Sequence, residues 1–272
     1  MKDKYDVIII GGSIAGVSAA LTCTNRGKST AVITNSTESS SLYKAEKITN
    51  YPGISAATGK EIAELLTKQL EGCGADIIPG RALSVMPLGD SFGVAFGSEF
   101  CTADAVILAA GITREKLYPG ESEFLGRGVS YCATCDGMLY RGKTVALIGN
   151  NEEAKHDAAF LESIGCTVKR FEQNARYEIR GGMKADTVIV GGEEYKVDGV
   201  FIIKDTVSVT KLVPGLAYAD GGIVTDRRMQ TNVPGVFAAG DCTGKPYQLA
   251  KAAGEGNVAA LSACEYIDKK EK

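Results

Sequence analysis

Apolar residues fall along this chain in short unbroken runs, each followed by a glycine-containing turn. Tyr5 to Ile10 is the first run, and Gly11-Gly12-Ser13-Ile14-Ala15-Gly16 follows it. Ala- and Ser-rich sequence then continues to about Arg26, closed by Gly27, and a second run spans Thr30 to Thr34. Continuous apolar runs of this length suit strands buried on both faces of a parallel sheet. The stretch between them reads as a crossing helix stopped by glycine. The pattern recurs: Thr144 to Ile148 is a run, a turn begins at Gly149, and a helix extends to about Ser163. The next strand ends Phe171-Glu172-Gln173-Asn174, and the chain passes almost directly into Tyr177–Arg180 and Thr187–Val190. Leu108-Ala109-Ala110-Gly111 ends a further strand. Val233 to Asp241 reads as a turn and a buried strand, ahead of a small-residue helix from about Ala250 to Tyr266.

Strand–turn–helix units in this order predict an α/β protein with two doubly wound, Rossmann-like, three-layer domains, the second inserted into the first. The first is discontinuous, about 1–115 and 211–272; the insertion spans about 116–210. The crossings near Lys116–Gly120 and Lys211–Gly215 carry Pro119 and Pro214, as hinges or linkers do. A length of 272 residues accommodates two modest domains, and an apolar content of 44% supplies two cores. The net charge of −3 gives no basis for binding nucleic acid or an anionic membrane. No apolar run approaches a membrane span. Val7–Ile10 after Met1-Lys2-Asp3-Lys4 mimics a signal peptide, but the run stops at Gly11-Gly12, so a buried strand and a cytoplasmic location are expected.

The first turn is a dinucleotide fingerprint, G-x-G-x-x-G, with Ser13 at the middle glycine. Gly11 makes the tight turn, position 13 lets backbone approach a pyrophosphate, and Gly16 allows close helix–strand packing. Gly12, Ile14 and Ala15 complete the loop, whose helix end presents its positive pole to phosphate. The Ser13 hydroxyl can donate to that phosphate. Asn35 falls where an acidic residue usually holds the ribose, and its amide can also bind a hydroxyl. The second turn is different. Gly149 and Ala154 keep their places, but Asn151 replaces the middle glycine, and Glu152 and Glu153 put negative charge at the helix start. Carboxylates there stabilise the helix but repel a diphosphate.

Cys132-Ala133-Thr134-Cys135 places two sulfurs within disulfide range on one short turn, a switch able to carry two electrons. Asp136 directly after it can handle a proton. The other six cysteines, Cys23, Cys73, Cys101, Cys166, Cys242 and Cys264, are scattered and are expected to be buried thiols. Zinc would need a second ligand pair, and the only histidine is His156, so no metal site is expected.

With these motifs in this order, the chain resembles the low-molecular-weight thioredoxin reductases over nearly its whole length, Cys132-Ala-Thr-Cys135-Asp136 being the most specific match. The resemblance implies FAD. Gly240-Asp241 would hold its ribityl and pyrophosphate part, Gln248 and Leu249 would approach the flavin ring, and Asn50, in Glu46-Lys-Ile-Thr-Asn50-Tyr-Pro-Gly53, would lie beside it. Ala110 and Gly111 would belong to the same site. Cys135 would lie nearest the flavin, and Asp136 would shuttle the proton. The family would carry an intact NADPH turn at Gly149 and a His-Arg-Arg cluster after the next strand. Here Glu172, Gln173 and Asn174 stand instead, and Lys204-Asp205-Thr206 departs from a glycine-containing turn. The abbreviated second domain makes the chain most like the ferredoxin-dependent flavin thioredoxin reductases. That implies reduced ferredoxin as donor, thioredoxin as acceptor, a homodimer and rotation between domains. A basic docking patch would be expected from Arg26, Lys28, Lys44 and Lys47. Two alternatives stay open on the motifs: an FAD-dependent dithiol oxidase passing electrons to oxygen, and a non-catalytic FAD redox sensor.

Overall fold

The computed structural model describes residues 2–35, 40, 42–43, 45–54, 57–111, 117–131, 133–150, 152–173, 175–203 and 212–270, without the side chains of Thr134, Cys135, Glu152 and Glu153. Cys132, Asn151, Asn174, Lys44, Lys116, Lys211 and 204–206 lie outside the described residues. The chain divides into two compact units, Met1–Thr113 with Ser208–Lys272, and Arg114–Val207.

The first unit opens with β1 (Lys4–Ile10), α1 (Ile14–Asn25) and β2 (Thr30–Thr34), the βαβ unit that the apolar runs specify. Next come α2 (Gly59–Gly72), β3 (Asp76–Pro79) and the antiparallel β4 (Ala82–Leu88), β5 (Ser91–Phe96) and β6 (Glu99–Leu108). A capping box starts α2: Thr58 Oγ1 accepts from Glu61 N (3.2 Å), and Thr58 N donates to Glu61 Oε2 (2.7 Å). β3, β2, β1 and β6 run parallel in that order, and β6 turns its first half to β5.

The inserted unit contains α3 (Glu121–Phe124), β7 (Val129–Ser130), α4 (Ala133–Asp136), β8 (Thr144–Ile148), α5 (Glu152–Ser163) and β9 (Thr167–Phe171). An antiparallel meander of β10 (Tyr177–Gly181), β11 (Ala185–Val190) and β12 (Glu193–Lys196) follows, then β13 (Gly199–Ile202). β7, β13, β8 and β9 form a four-stranded parallel sheet. The chain returns from β9 to β13 through the meander rather than through a second crossing helix. The Tyr177–Arg180 and Thr187–Val190 runs are the first two strands of that meander.

The chain re-enters the first unit through β14 (Tyr218–Ala219) and β15 (Gly222–Ile223). β16 (Val236–Ala238) then adds to the second half of β6, and α6 (Leu249–Lys270) closes the chain. α6 is longer than its small-residue segment indicates, because lysines at Lys269 and Lys270 suit a helix C-terminus. α1 and α6 pack on one face of the sheet over Val7, Ile9, Ile107 and Phe237, all essentially excluded from solvent. A Cβ at Gly256 of α6 would stand 2.2 Å from the carbonyl oxygen of Ala15, so only glycine permits this approach. Among the described residues no helix is long and apolar enough to cross a membrane.

Candidate functional site

In the first unit, β1, β2, β6 and β16 are parallel, so their carboxyl ends share one edge. Gly11, Asn35, Ala110-Gly111 and Gly240-Asp241 are placed there by the ends of those four strands. Ligands of open α/β sheets bind outside that edge. The turn after β1 has the tightness its sequence implies. Gly11 has φ +112°, and a Cβ on it would stand 2.3 Å from the Ala109 carbonyl oxygen. A Cβ at Gly16 would fall 1.8 Å from the carbonyl oxygen of Gly11. Gly12 N donates to Thr34 Oγ1 (3.1 Å), which ties the turn to the end of β2. Ser13 is the N-cap of α1; its side chain makes no capping bond, and no acid stands in the first turn. The partial positive charge of this helix end is thus not offset by the helix's own carboxylates. Ile14, Ala15 and Gly16 are buried beneath it. This cradle fits the diphosphate of a dinucleotide.

The far side of the site is built from β16 and α6. Gly240 takes φ +85° and abuts Ala15, to which a Cβ would come within 2.9 Å. Gly240–Thr243 forms one 3-10 turn. Lys251 and Glu255, four apart on α6, grip that turn from below. Lys251 Nζ donates to Gly240 O (3.0 Å), Thr243 Oγ1 (2.9 Å) and Gly244 O (2.9 Å), and pairs with Glu255 Oε2 at 3.1 Å. Glu255 Oε2 also accepts from Gly240 N and from Thr243 Oγ1, each at 2.9 Å. Burial holds the Asp241 carboxyl above the usual carboxylate range; Lys251 opposes that rise and Glu255 adds to it. Sequence reading did not single out Lys251, Glu255, Thr243 or Thr34. Asn50 and Gln248, 198 residues apart, meet directly: Asn50 Nδ2 donates to Gln248 Oε1 at 2.7 Å, both residues exposed, with Leu249 at the start of α6 beside them.

In the inserted unit, Cys135 lies on the short α4 that ends at Asp136. Ser130 Oγ donates to Asp136 Oδ2 (2.7 Å), which holds that carboxylate at the end of β7. The buried Asp157 of α5 accepts from Ala133 N (3.4 Å), so α5 caps the start of the cysteine-bearing turn. Tyr131, next to Cys132, donates its hydroxyl to the fully buried Glu121 (2.7 Å). Met138 and Leu139, directly after this turn, are 55% and 68% exposed. α5 begins at Glu152, so Glu152 and Glu153 occupy its first turn, where α1 has no acid. His156 is exposed, and no metal-binding group of three or more His, Cys, Asp or Glu exists among the described residues.

Two expectations change. Arg26 and Lys28 share one carboxylate, Asp268, at 3.8 Å and 2.6 Å, so one of their two positive charges is offset. Lys47 remains exposed. Of the six scattered cysteines, five are buried thiols but Cys73 is only half-buried, because it follows the end of α2 with its Sγ against Leu70 O (3.1 Å). Burial pushes the Cys242 thiol up to about 12 and the Cys101 thiol to about 11, which makes both poor nucleophiles.

Comparison with known proteins agrees with this architecture. The family model for pyridine nucleotide-disulphide oxidoreductases matches residues 5–179 and 162–256. The thioredoxin reductase of Treponema pallidum is 35% identical, over 98% of this chain and 99% of its own. That alignment runs to 303 positions, more than this chain's 272 residues, so the relative carries segments that this chain lacks. Two structures of a ferredoxin-flavin thioredoxin reductase from Clostridium acetobutylicum superpose with TM-scores of 0.88 and 0.83, at 38% and 39% identity, covering 99% of both chains. A thioredoxin reductase from Gloeobacter violaceus follows at a TM-score of 0.78 and 29% identity, over 99% of this chain and 96% of its own. The chain therefore belongs to the pyridine nucleotide-disulphide oxidoreductases, within the thioredoxin reductase family.

Proposed function

We propose that this protein is an FAD-dependent disulfide reductase that reduces thioredoxin through Cys132 and Cys135 and draws electrons from reduced ferredoxin rather than from a pyridine nucleotide. The observation that carries the reading is a pair of unequal helix starts in a chain similar throughout to the Clostridium ferredoxin-flavin enzyme. α1 opens on Ser13 with no acid, and α5 opens on Glu152-Glu153. The first favours a diphosphate and the second repels one.

FAD, when bound, supplies a centre that accepts electrons singly and releases them in pairs. The protein's part is to hold and to separate. Gly11, Gly12, Ser13, Ile14, Ala15 and Gly16 receive the diphosphate, with Asn35 at the ribose. Gly240 and Asp241 take the ribityl side, beside Ala110 and Gly111. Asn50, Gln248 and Leu249 would lie on the side of the flavin ring. Two electrons and two protons convert the Cys132–Cys135 disulfide to a dithiol. Exchange through a mixed disulfide then passes the pair to thioredoxin. Asp136, oriented by Ser130, relays the proton that a thiol on this turn gives up or a thiolate receives. The exposed Met138 and Leu139 give a protein partner an apolar contact next to the cysteines.

Cys132→Ser and Cys135→Ser test the reading. With chemically reduced flavin under anaerobic conditions, the wild-type protein is expected to generate thiols on thioredoxin. Each variant should keep its flavin and generate none beyond a single turnover. Undiminished thiol production by either variant would contradict the assignment.

A further inference from the structure

We propose that Gln173 is a specificity-determining residue that closes the second nucleotide crevice to pyridine dinucleotides, a barrier separate from the altered fingerprint residues. The inference rests on the reading above, in which this crevice is not the electron entry.

The carboxyl ends of β9, β8 and β13 lie side by side in that order, with β8 in the middle. A dinucleotide on this fold sets its pyrophosphate at the turn after β8 and its adenosine ribose at the end of β9. Gln173 sits two residues past β9, at the ribose end. Its side chain crosses the end of β8 to the far strand, where Nε2 donates to Ile203 O at 2.7 Å. The same oxygen faces the fingerprint glycine: a Cβ on Gly149 would stand 2.8 Å from it. The Gln173 amide therefore spans from the ribose end of β9 to the carbonyl that packs against the Gly149 turn.

The bridge is anchored at its base. Tyr118 Oη donates to Gln173 O (3.4 Å), and Tyr177 Oη donates to Glu172 O. The two rings pack edge to face with centroids 4.8 Å apart. Tyr118 N is itself held by the buried Glu121 (2.9 Å). Consecutive carbonyls of the β9–β10 connection are thus held by these two tyrosines, while the Gln173 amide is held by the end of β13. A residue held through both its backbone carbonyl and its side-chain amide does not swing away without giving up the hydrogen bond to Ile203 O.

The experiment separates this barrier from the fingerprint. Holoprotein carrying Asn151→Gly, Glu152→Gln and Glu153→Gln is compared with the same protein carrying Gln173→Ala in addition. NADH and NADPH binding is read by calorimetry up to about 1 mM, the upper end of ordinary substrate constants. The triple variant is expected to bind neither. The quadruple variant is expected to bind at least one, with affinity raised by about tenfold or more. Thermal melting of each variant confirms the fold. Binding by the triple variant equal to that of the quadruple would overturn the proposal. So would failure of the folded quadruple variant to bind, because the crevice would then be closed by something other than Gln173. Flavin bleaching of the wild-type protein by NADPH would instead sink the donor reading itself, and these binding measurements do not depend on ferredoxin.

Discussion

Lys251 and Glu255 act on a turn that neither belongs to. A Lys–Glu pair four residues apart on a helix is usually a solvated ion pair worth a few tenths of a kcal/mol. Here tertiary packing places both beneath Gly240–Thr243, with side chains only 18% exposed, and turns them into a clamp on the residues proposed to hold the ribityl chain. Lys251→Met is expected to weaken FAD binding by the refolded apoprotein about tenfold, ~1.4 kcal/mol. Glu255→Gln, which keeps an oxygen for Gly240 N, should lose less than Glu255→Ala. Equal FAD affinity across the three variants in a fluorescence titration would contradict the clamp. Asp241 carries a pH-dependent cost. Burial raises its folded-state pKa, so its contribution to stability is full below the unfolded carboxylate value of about 3.9 and is lost as pH rises through the folded value. Asp241→Asn should therefore raise the melting temperature of the flavin-free protein near neutral pH and leave it unchanged at acid pH. A gain independent of pH would mean that the substitution acts through packing. At this scale the sequence showed the fingerprint glycines through their spacing, and Asn50 and Gln248 only through family likeness. It did not show the clamp, because nothing in a Lys–Glu spacing says which turn lies underneath.

At the scale of elements, two helices of the same topological kind have opposite character. α1 and α5 each follow a buried parallel strand, and the acids at Glu152-Glu153 distinguish their starts. α1 is also locked from behind by α6: Ser18 Oγ donates to Ala253 O (2.7 Å), and Asn257 Nδ2 to Thr22 Oγ1 (2.9 Å). Gly256→Ala drives a methyl into the Ala15 carbonyl, 2.2 Å away, and should destabilise the protein by about 1–3 kcal/mol while loosening flavin retention. Urea unfolding and flavin content check this, and an unchanged midpoint would show that the helices part without penalty. Parallel strands such as β1 and β8 were legible because burial on both faces makes them continuous apolar runs. β4 and β12 were not, since one is mostly exposed past Val85 and the other reads Glu-Glu-Tyr-Lys. The start of α2 was written in Thr58-x-x-Glu61, a capping box that the apolar-run pattern passes over.

For the whole molecule, the proposed function turns on where electrons enter. The inserted unit keeps the strand–turn–helix of a nucleotide-binding fold, yet it replaces the second crossing helix with a meander and bridges the crevice with Gln173. The two strand–turn–helix units and the contrast between their turns could be read from the chain alone. The bridge could not, because it depends on β8 lying between two strands that are distant in sequence. The most direct measurement is anaerobic flavin absorbance of the purified protein mixed separately with NADPH, NADH and reduced ferredoxin, each with and without thioredoxin. Bleaching by reduced ferredoxin alone is expected, followed by thiols on thioredoxin. Rapid bleaching by NADPH or NADH would contradict it, and would place electron entry at the second nucleotide turn after all.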